Sequence, residues 1–547
     1  IRDRYKEEIS VNSKQQTQAV YALFDQFRQA YSNEWQRLAR CERIYHGDHW
    51  QDVPETHKGE PRPVTPVIQS TVENIRADLM DSFPEAIITA DDPAYSRLAE
   101  LLTAALKENH TRAGYSQEYG RLTHDLLVGG YMIQEIGYDP DLNRGMGGAY
   151  IRHVDPRTIL FDPLVEDFQE GRAVFKFAPY PRAWFQSHYP KEAPAMQMDT
   201  LGLRPMRDEL LQVREEDTIL LLECWQREYD AKSGQYRVHM QKLAGGVLLE
   251  DSRQQKPAGY FAHGQYPFVV TPLFPRKGTC LGFGFVDMFE KAQLYSDKLD
   301  QILLKNALMA SHNKLLVTGA SGFDIDDLRD WSKEVHKGEN LNGVTWFPTP
   351  PLPAYLVSYT QAIRESIKEE SGSNDFSRGM TTGGVTAASA IAALQEMSSK
   401  RSRMAVRAVH DAFADAVRQE LEVEREFCLL PRQVALPSAD QRQAMLTADM
   451  LSQETALGNR VPLEFNVSVK VQRENRFTVA AHNELILNMT NMGMLTPDVA
   501  MELMLFDGKE QAMALMAKKK AALEAAQPEE TLEAQGPIAE ELLAGAV

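Results

Sequence analysis

The stretch from Ser371 to Phe427 constrains this chain most. It reads SGSNDFSRGMTTGGVTAAS and then continues without Gly or Pro to Phe427. The first part is small, polar and Gly-rich, so its backbone bends cheaply and is costly to order. The second part predicts a long helix. Ile391, Leu394, Met404, Val409, Phe413, Val417 and Leu421 recur at helical spacing, with Ala between many of them. Thr386 is placed to cap its start. About forty residues at ~1.5 Å rise make a rod of roughly 60 Å. Isolated helicity is marginal in water, so such a rod needs neighbours along its length. A bendable loop feeding a long spar points to a mechanical or structural part rather than a catalytic pocket.

The first fifty residues predict another helix, with Val20, Leu23, Phe24, Phe27, Tyr31, Trp35, Leu38, Ile44 and Tyr45 on its apolar face. It closes on Tyr45-His46-Gly47-Asp48-His49-Trp50. A Pro-rich stretch follows, then a helix from about Val67 to Phe83 and one from Ala94 to Leu127, ending at Gly129-Gly130. Met132, Ile133 and Ile136 then lead through a polar turn (Asp139 to Gly148) to Tyr150–Val154, a hairpin. Ile219–Tyr229, Tyr236–Leu243 and Val247–Leu249 read as further strands, so the region up to about residue 275 is an α+β body.

Gly282-Phe283-Gly284 opens a second long helix to about Ser311, with Met288, Ala292, Tyr295, Leu299, Ile302, Leu303 and Leu308 as its stripe. A small insert follows: strand Lys314–Thr318, helix Ile325–Val335, strand Val344–Phe347. Pro348 to Pro353 ends it. A helix over about Ala354–Glu370 returns to the flexible loop. Beyond Phe427, Leu463–Val471 alternates as a strand. Three helices crowded with Met489, Met492, Met494, Met501, Met504, Met513 and Met516 come next, and Met suits adaptable packing. From about Gln527 the chain is acidic and rich in small residues, which predicts disorder.

The chemistry read from motifs is sparse. Net charge is −18, which argues against a protein that grips nucleic acid through its phosphates but not against one that DNA must pass without sticking. Cys41, Cys224, Cys280 and Cys428 are scattered, which predicts a reducing compartment and no zinc site. No apolar run reaches the ~18 residues of a membrane span, and no signal peptide is read after Ile1. The nucleotide-binding G-x-x-x-x-G-K-[ST], H-E-x-x-H and G-x-S-x-G patterns do not occur. Gly379 to Ala388 resembles a phosphate cradle at a helix start, but it lacks the Lys and the preceding strand. Asp324, Asp326 and Asp327 could hold Mg²⁺, yet acids in a first helical turn are ordinary dipole partners. Asp155 and Asp162, each followed by Pro, are turn initiators that could also ligate a cation. His46, His49 and His57 are too irregularly spaced for a metal site. No catalytic residue, metal site or cofactor is therefore assigned. Lys400, Arg401, Arg403 and Arg407 in mid-spar, with Glu420, Glu422, Glu424 and Glu426 near its end, read as a solvated face or as charges that pair between subunits.

Several places, taken in order, resemble the portal, or head–tail connector, proteins of tailed bacteriophages. They begin with the N-terminal helix ending in Tyr45-His46-Gly47-Asp48-His49-Trp50. Val154-Asp155-Pro156 and Phe161-Asp162-Pro163 follow. Tyr266-Pro267-Phe268-Val269 with Arg276 then runs into Gly282-Phe283-Gly284 and the helix carrying Gln293. The last is Gly383-Gly384-Val385-Thr386-Ala387-Ala388-Ser389-Ala390-Ile391, continuing through Gln395. The resemblance covers roughly Tyr31 to Phe506.

The resemblance implies an α+β, helix-rich portal fold with wing, stem, clip and crown, assembled as a closed ring commonly of about twelve subunits at one capsid vertex. Its parts fall at residues 1–279 (wing), 280–311 (first stem helix), 312–352 (clip), 353–372 (second stem helix), 373–386 (channel loop), 387–475 (long wing helix and returning strand), 476–526 (crown helices) and 527–547 (acidic tail). Residues 190–260 form a lengthy wing insertion that the resemblance does not place. The implied partners are other copies of the chain, double-stranded DNA that slides through, the terminase large subunit, a head–tail adaptor or neck protein, and the major capsid and scaffolding proteins, with no membrane. The implied location is the virion's portal vertex, and the host cytoplasm during assembly. Asn374, Arg378, Thr381 and Thr382 would face DNA from the channel loop. Asp324, Asp326, Asp327, Arg329, Trp331 and Lys333 would meet partners at the clip. Lys400, Arg401, Arg403, Arg407, Glu420 and Glu424 would pair between subunits. Two rival readings stay open: a Mg²⁺-dependent nuclease using Asp324, Asp326 and Asp327, and a monomeric helical scaffold protein.

Overall fold

A computed structural model describes residues 2–54, 60–197, 218–231, 234–311, 315–330, 332, 334–346, 353–372, 400–435, 443–454, 460–471, 476–504 and 516. The chain divides into two compact units, residues 1–435 with 443–471, and residues 436–442 with 472–547.

In the first unit, helix α1 (Arg2–Tyr45) buries Val20, Phe24, Phe27, Tyr31, Leu38, Cys41 and Ile44. Helix α2 (Val67–Asp81) buries Val67, Ile68, Val72, Ile75 and Leu79. It stops before the expected end at Phe83, because Pro84–Thr89 forms strand β1. The helix expected over 94–127 is two helices. Gly114 takes φ 71°, which a side chain would resist, and separates α3 (Ser96–Ala113) from α4 (Tyr115–Val128).

The hairpin read from the sequence is β2 (Tyr131–Asp139) and β3 (Gly148–His153). Strands β4 (Ile159–Phe161), β5 (Ala173–Pro181), β6 (Thr218–Asp230), β7 (Gln235–Ala244) and β8 (Val247–Asp251) form one antiparallel five-stranded sheet in sequence order. Residues 218–251, inside the segment that the resemblance left unplaced, thus extend the sheet begun by β4 and β5. Phe24 and Phe27 of α1 both meet Phe175 of β5 edge-on at 5.5 Å, and Tyr31 meets Phe161 at 5.4 Å. These aromatic contacts seat α1 on the sheet.

Strand β9 (Phe268–Pro272) completes a three-stranded sheet in the order β3-β2-β9. Helix α5 (Phe285–Ser311) follows. The small insert pairs β10 (Leu315–Val317) with β11 (Val344–Trp346) and holds the short helix α6 (Ile325–Arg329). Helix α7 (Tyr355–Ser371) leads to the loop, which lies outside the described residues. Helix α8 (Lys400–Phe427) is the described part of the spar. It packs on β2, β3 and β9, burying Ala405, Val409, Ala412, Phe413, Ala416, Val417 and Leu421. Alanines let the helix sit close to the sheet. Met404, expected on this stripe, is 62% exposed, and Ala405 takes the inward position. Ile391 and Leu394 lie outside the described residues. Strand β12 (Asn466–Val471) pairs with β1. In the second unit, α9 (Arg476–Asn491) packs on α10 (Pro497–Leu503) across a turn at Gly493 (φ 75°).

Backbone meets backbone where α5 begins. A Cβ at Gly130 would fall 2.2 Å from the Phe283 carbonyl carbon, and one at Gly284 would fall 2.6 Å from the Leu127 carbonyl oxygen. Gly130 also has φ 88°. Gly130→Ala is expected to lower stability by about 2–4 kcal/mol, read as the shift in urea midpoint against Gly278→Ala, a glycine with open space around it.

Candidate functional site

The site follows from how α5 and α7 are held. Beyond Phe289 the face of α5 that turns inward is polar. Gln293, Ser296 and Asp297 are buried together with Phe285, Val286 and Phe289. Gln293 Oε1 accepts the Val67 and Ile68 backbone N–H groups at 3.1 and 3.3 Å, orphan donors of the first turn of α2. Its Nε2 donates to the Thr65 carbonyl at 2.7 Å and to Asp297 Oδ1 at 3.1 Å. Asp297 accepts the Thr65 backbone N–H at 3.2 Å and faces His49 Nδ1 at 2.5 Å. His49 Nε2 faces the Ile44 carbonyl at 2.9 Å. Both ring nitrogens point at acceptors, so the imidazolium satisfies the pocket best. Burial alone would lower the His49 pKa. The hydrogen bond and charge of Asp297, with the Ile44 carbonyl, outweigh burial and raise it above the ordinary value.

Outside this knot, Gln301 Nε2 donates to the Pro61 carbonyl at 2.9 Å, and Lys305 pairs with Glu60 at 2.9 Å. The end of the Pro-rich segment therefore runs along α5. Arg364 of α7 binds Asp300 and, through Nε, the Ser296 hydroxyl at 3.1 Å, clasping the two helices together.

With its polar face inside, α5 turns its apolar stripe out. Tyr295 is 64% exposed, Ile302 47% and Leu308 43%, and Met288 is exposed too. Four residues of the stripe read from the sequence are thus uncovered and Ala292, Leu299 and Leu303 are half-buried, because buried hydrogen bonds to the entry of α2 and to His49 fix the helix's rotation. Tyr355, Val357 and Tyr359 of α7 are exposed as well.

In the insert, Asp324 Oδ1 accepts the Asp326 backbone N–H at 3.0 Å and caps α6. Asp327 faces His336 at 3.5 Å. Among the described residues these acids form no convergent metal-ligating group. The helix ends at Arg329 rather than Val335. Trp331 and Lys333 lie outside the described residues. Leu316, Ile325, Leu341 and Trp346 are exposed on this small body.

Asp155 and Asp162 are turn formers bound by arginines. Arg157 donates to both oxygens of Asp155, at 3.0 and 2.8 Å. Arg172 donates to both oxygens of Asp162, at 2.5 and 3.2 Å. Burial would raise both carboxyls, but the arginine contacts outweigh it and hold them below the ordinary range.

Of the charges expected to pair between subunits, Glu420 and Glu424 point into their own chain, which corrects that expectation for these two. Glu420 binds His110 of α3 at 2.8 Å. Glu424 accepts from Asn109 at 2.6 Å and from the Ala149 backbone N–H at 3.0 Å, and meets Arg432 at 3.2 Å. Both are buried. Helical periodicity aims these carboxylates at α3 and β3, which a reading of charge runs alone does not register. Arg407 is exposed beside Asp411 at 3.6 Å. Lys400 and Arg401 begin the described helix. Asn374, Arg378, Thr381 and Thr382 lie outside the described residues.

Two family models match the sequence. Phage P22-like portal protein matches residues 21–269, and Phage SU10 portal protein matches residues 192–445. The matches overlap over residues 192–269, across β6 to β8, and the second takes in α5, the insert, α7 and α8. The chain is a member of the tailed-bacteriophage portal proteins. No curated protein matches it.

A raised His49 pKa contributes stability fully present below the ordinary histidine value of about 6.5 and lost as pH rises through the folded value. His49→Ala, leaving Asp297 buried without its partner, is expected to cost about 3 kcal/mol at pH 6. The gap to wild type should narrow as pH rises, measured by urea unfolding across pH 6–9.

Proposed function

We propose that this chain forms the portal ring at one vertex of a tailed-phage capsid, the channel through which DNA is packaged and ejected. The observation that carries the reading is the outward apolar stripe of α5, joined to the portal-family matches. Exposed Tyr295, Ile302 and Leu308 on a helix whose inner face beyond Phe289 is already polar and satisfied suit burial against a second copy. In this reading α5 and α7 are the stem, residues 312–352 the clip, residues 373–386 the channel loop, and α9 and α10 belong to the crown. The clip's exposed Trp346, Leu316 and Ile325, with Asp324, Asp326, Asp327, Arg329, Trp331 and Lys333, are the docking site for the terminase large subunit and then for the adaptor or neck protein. Capsid and scaffolding proteins meet the outer rim.

The charge supports sliding. Twelve copies at −18 each carry about −216, so the ring as a whole repels DNA and leaves few sticking points along its wall. Asn374, Thr381, Thr382 and the lone loop cation Arg378 offer replaceable contacts that help retain packed DNA. Lys400, Arg401, Arg403 and Arg407 pair with acids of the neighbouring copy. The role is structural and non-enzymatic.

Light scattering after size exclusion is expected to give a mass near twelve times 61.7 kDa. A monomer at all concentrations would overturn the ring. Ile302→Asp with Leu308→Asp should cut the assembled fraction at least tenfold while leaving the far-ultraviolet circular dichroism unchanged. Shortening residues 373–386 should keep the ring mass and reduce DNA retention in a packaging assay; unchanged retention would remove the loop from the mechanism.

A further inference from the structure

Glu42, His124 and Asp125 take no part in the stem, the insert or the spar, yet they converge between α1 and α4. The geometry points to a binding site for one divalent cation of the zinc class, tying α1 to α4. One ligand atom from each of the three lies within 4.8 Å of the others. His124 Nε2 sits 3.1 and 3.3 Å from the two Glu42 oxygens, facing the mouth of the carboxylate rather than one edge of it. Ligand bonds of about 2.0–2.2 Å place ligand atoms roughly 3–4 Å apart, so an ion fits after a small inward rotation of Asp125. One imidazole nitrogen with two carboxylates suits zinc, manganese or nickel better than calcium, which prefers oxygen alone.

The surroundings orient the ligands. Asp125 Oδ2 faces His153 Nε2 at 2.6 Å, which leaves Oδ1 for an ion and supplies the outer partner that ligating carboxylates characteristically have. The Tyr45 ring packs edge-on against the His124 ring at 4.9 Å and fixes its tilt. The backbone carbonyl of Asp125 accepts the Gly129 and Gly130 N–H groups at 2.8 and 3.0 Å, so the helix end that carries Asp125 is pinned. All three side chains are half-buried, which lets water complete the coordination and lets the ion exchange. In its absence the Glu42–His124 contact is a histidine–carboxylate pair, and ion binding displaces the proton on Nε2.

The untagged full-length chain, treated with chelator and dialysed, is titrated with zinc chloride by calorimetry. One equivalent per chain is expected. Glu42→Gln and His124→Ala should each weaken it at least tenfold, while His188→Ala, an exposed histidine elsewhere, leaves it unchanged. Zinc should raise the melting temperature of the wild type and not of the two variants. Cobalt(II) on the wild type reads the same site without any substitution, as a saturable visible absorption band that zinc removes. No zinc binding, no cobalt band, or undiminished affinity in both Glu42→Gln and His124→Ala overturns the site.

Discussion

Asp297 carries a carboxylate at 1% exposure, and the structure answers that cost with three donors: Gln293, the Thr65 backbone and His49. An unpaired charge in such a place would be strongly destabilising, so the helix that bears it has one acceptable rotation. The knot joins the end of α1, the entry to α2 and the middle of α5. Elements far apart in sequence are thereby locked into one frame, and everything carried by α5, including the insert and α7, is aimed by it.

The consequence, beyond the first turns that bury Phe285, Val286 and Phe289, is a helix with its polar residues inside and its apolar stripe outside. In a chain that works alone, Tyr295, Ile302 and Leu308 would be core, and Gln293, Ser296 and Asp297 would be wet. Here hydrogen-bonding specificity overrides area burial within the chain. The apolar area is left for another surface. Burial of apolar surface is the dominant favourable contribution to most protein association, which is why the proposed ring rests on this stripe.

The spar shows the complementary case. On α8 Ala405, Ala412 and Ala416 of the inner face let the helix lie close over β2, β3 and β9. Its last two turns are fixed by buried Glu420 and Glu424 reaching α3, β3 and Arg432. Those acids anchor the rod at one end. Exposed Arg407 lies in the basic middle.

Much of the local structure was legible in the residues. The hairpin at β2 and β3, the strands β6 to β8, the insert between two helices and the helical spar over its described length all followed from periodicity, turn residues and proline stops. Local signals specify local hydrogen bonds, and so they survive without a tertiary context. β1 was not legible, because six residues between helices carry no alternation of their own and become a strand only when β12 lies beside them. Gly114 divided a helix whose apolar period was unbroken. The rotation of α5 and the inward aim of Glu420 and Glu424 were hidden for one reason: each depends on a partner brought from hundreds of residues away. The sequence by itself determined most of the helices, the strands β2, β3 and β6 to β8, and their order, because those choices are made by neighbours along the chain. Only the tertiary structure decided which faces are buried, because a charge or an apolar stripe acquires its value from what stands opposite.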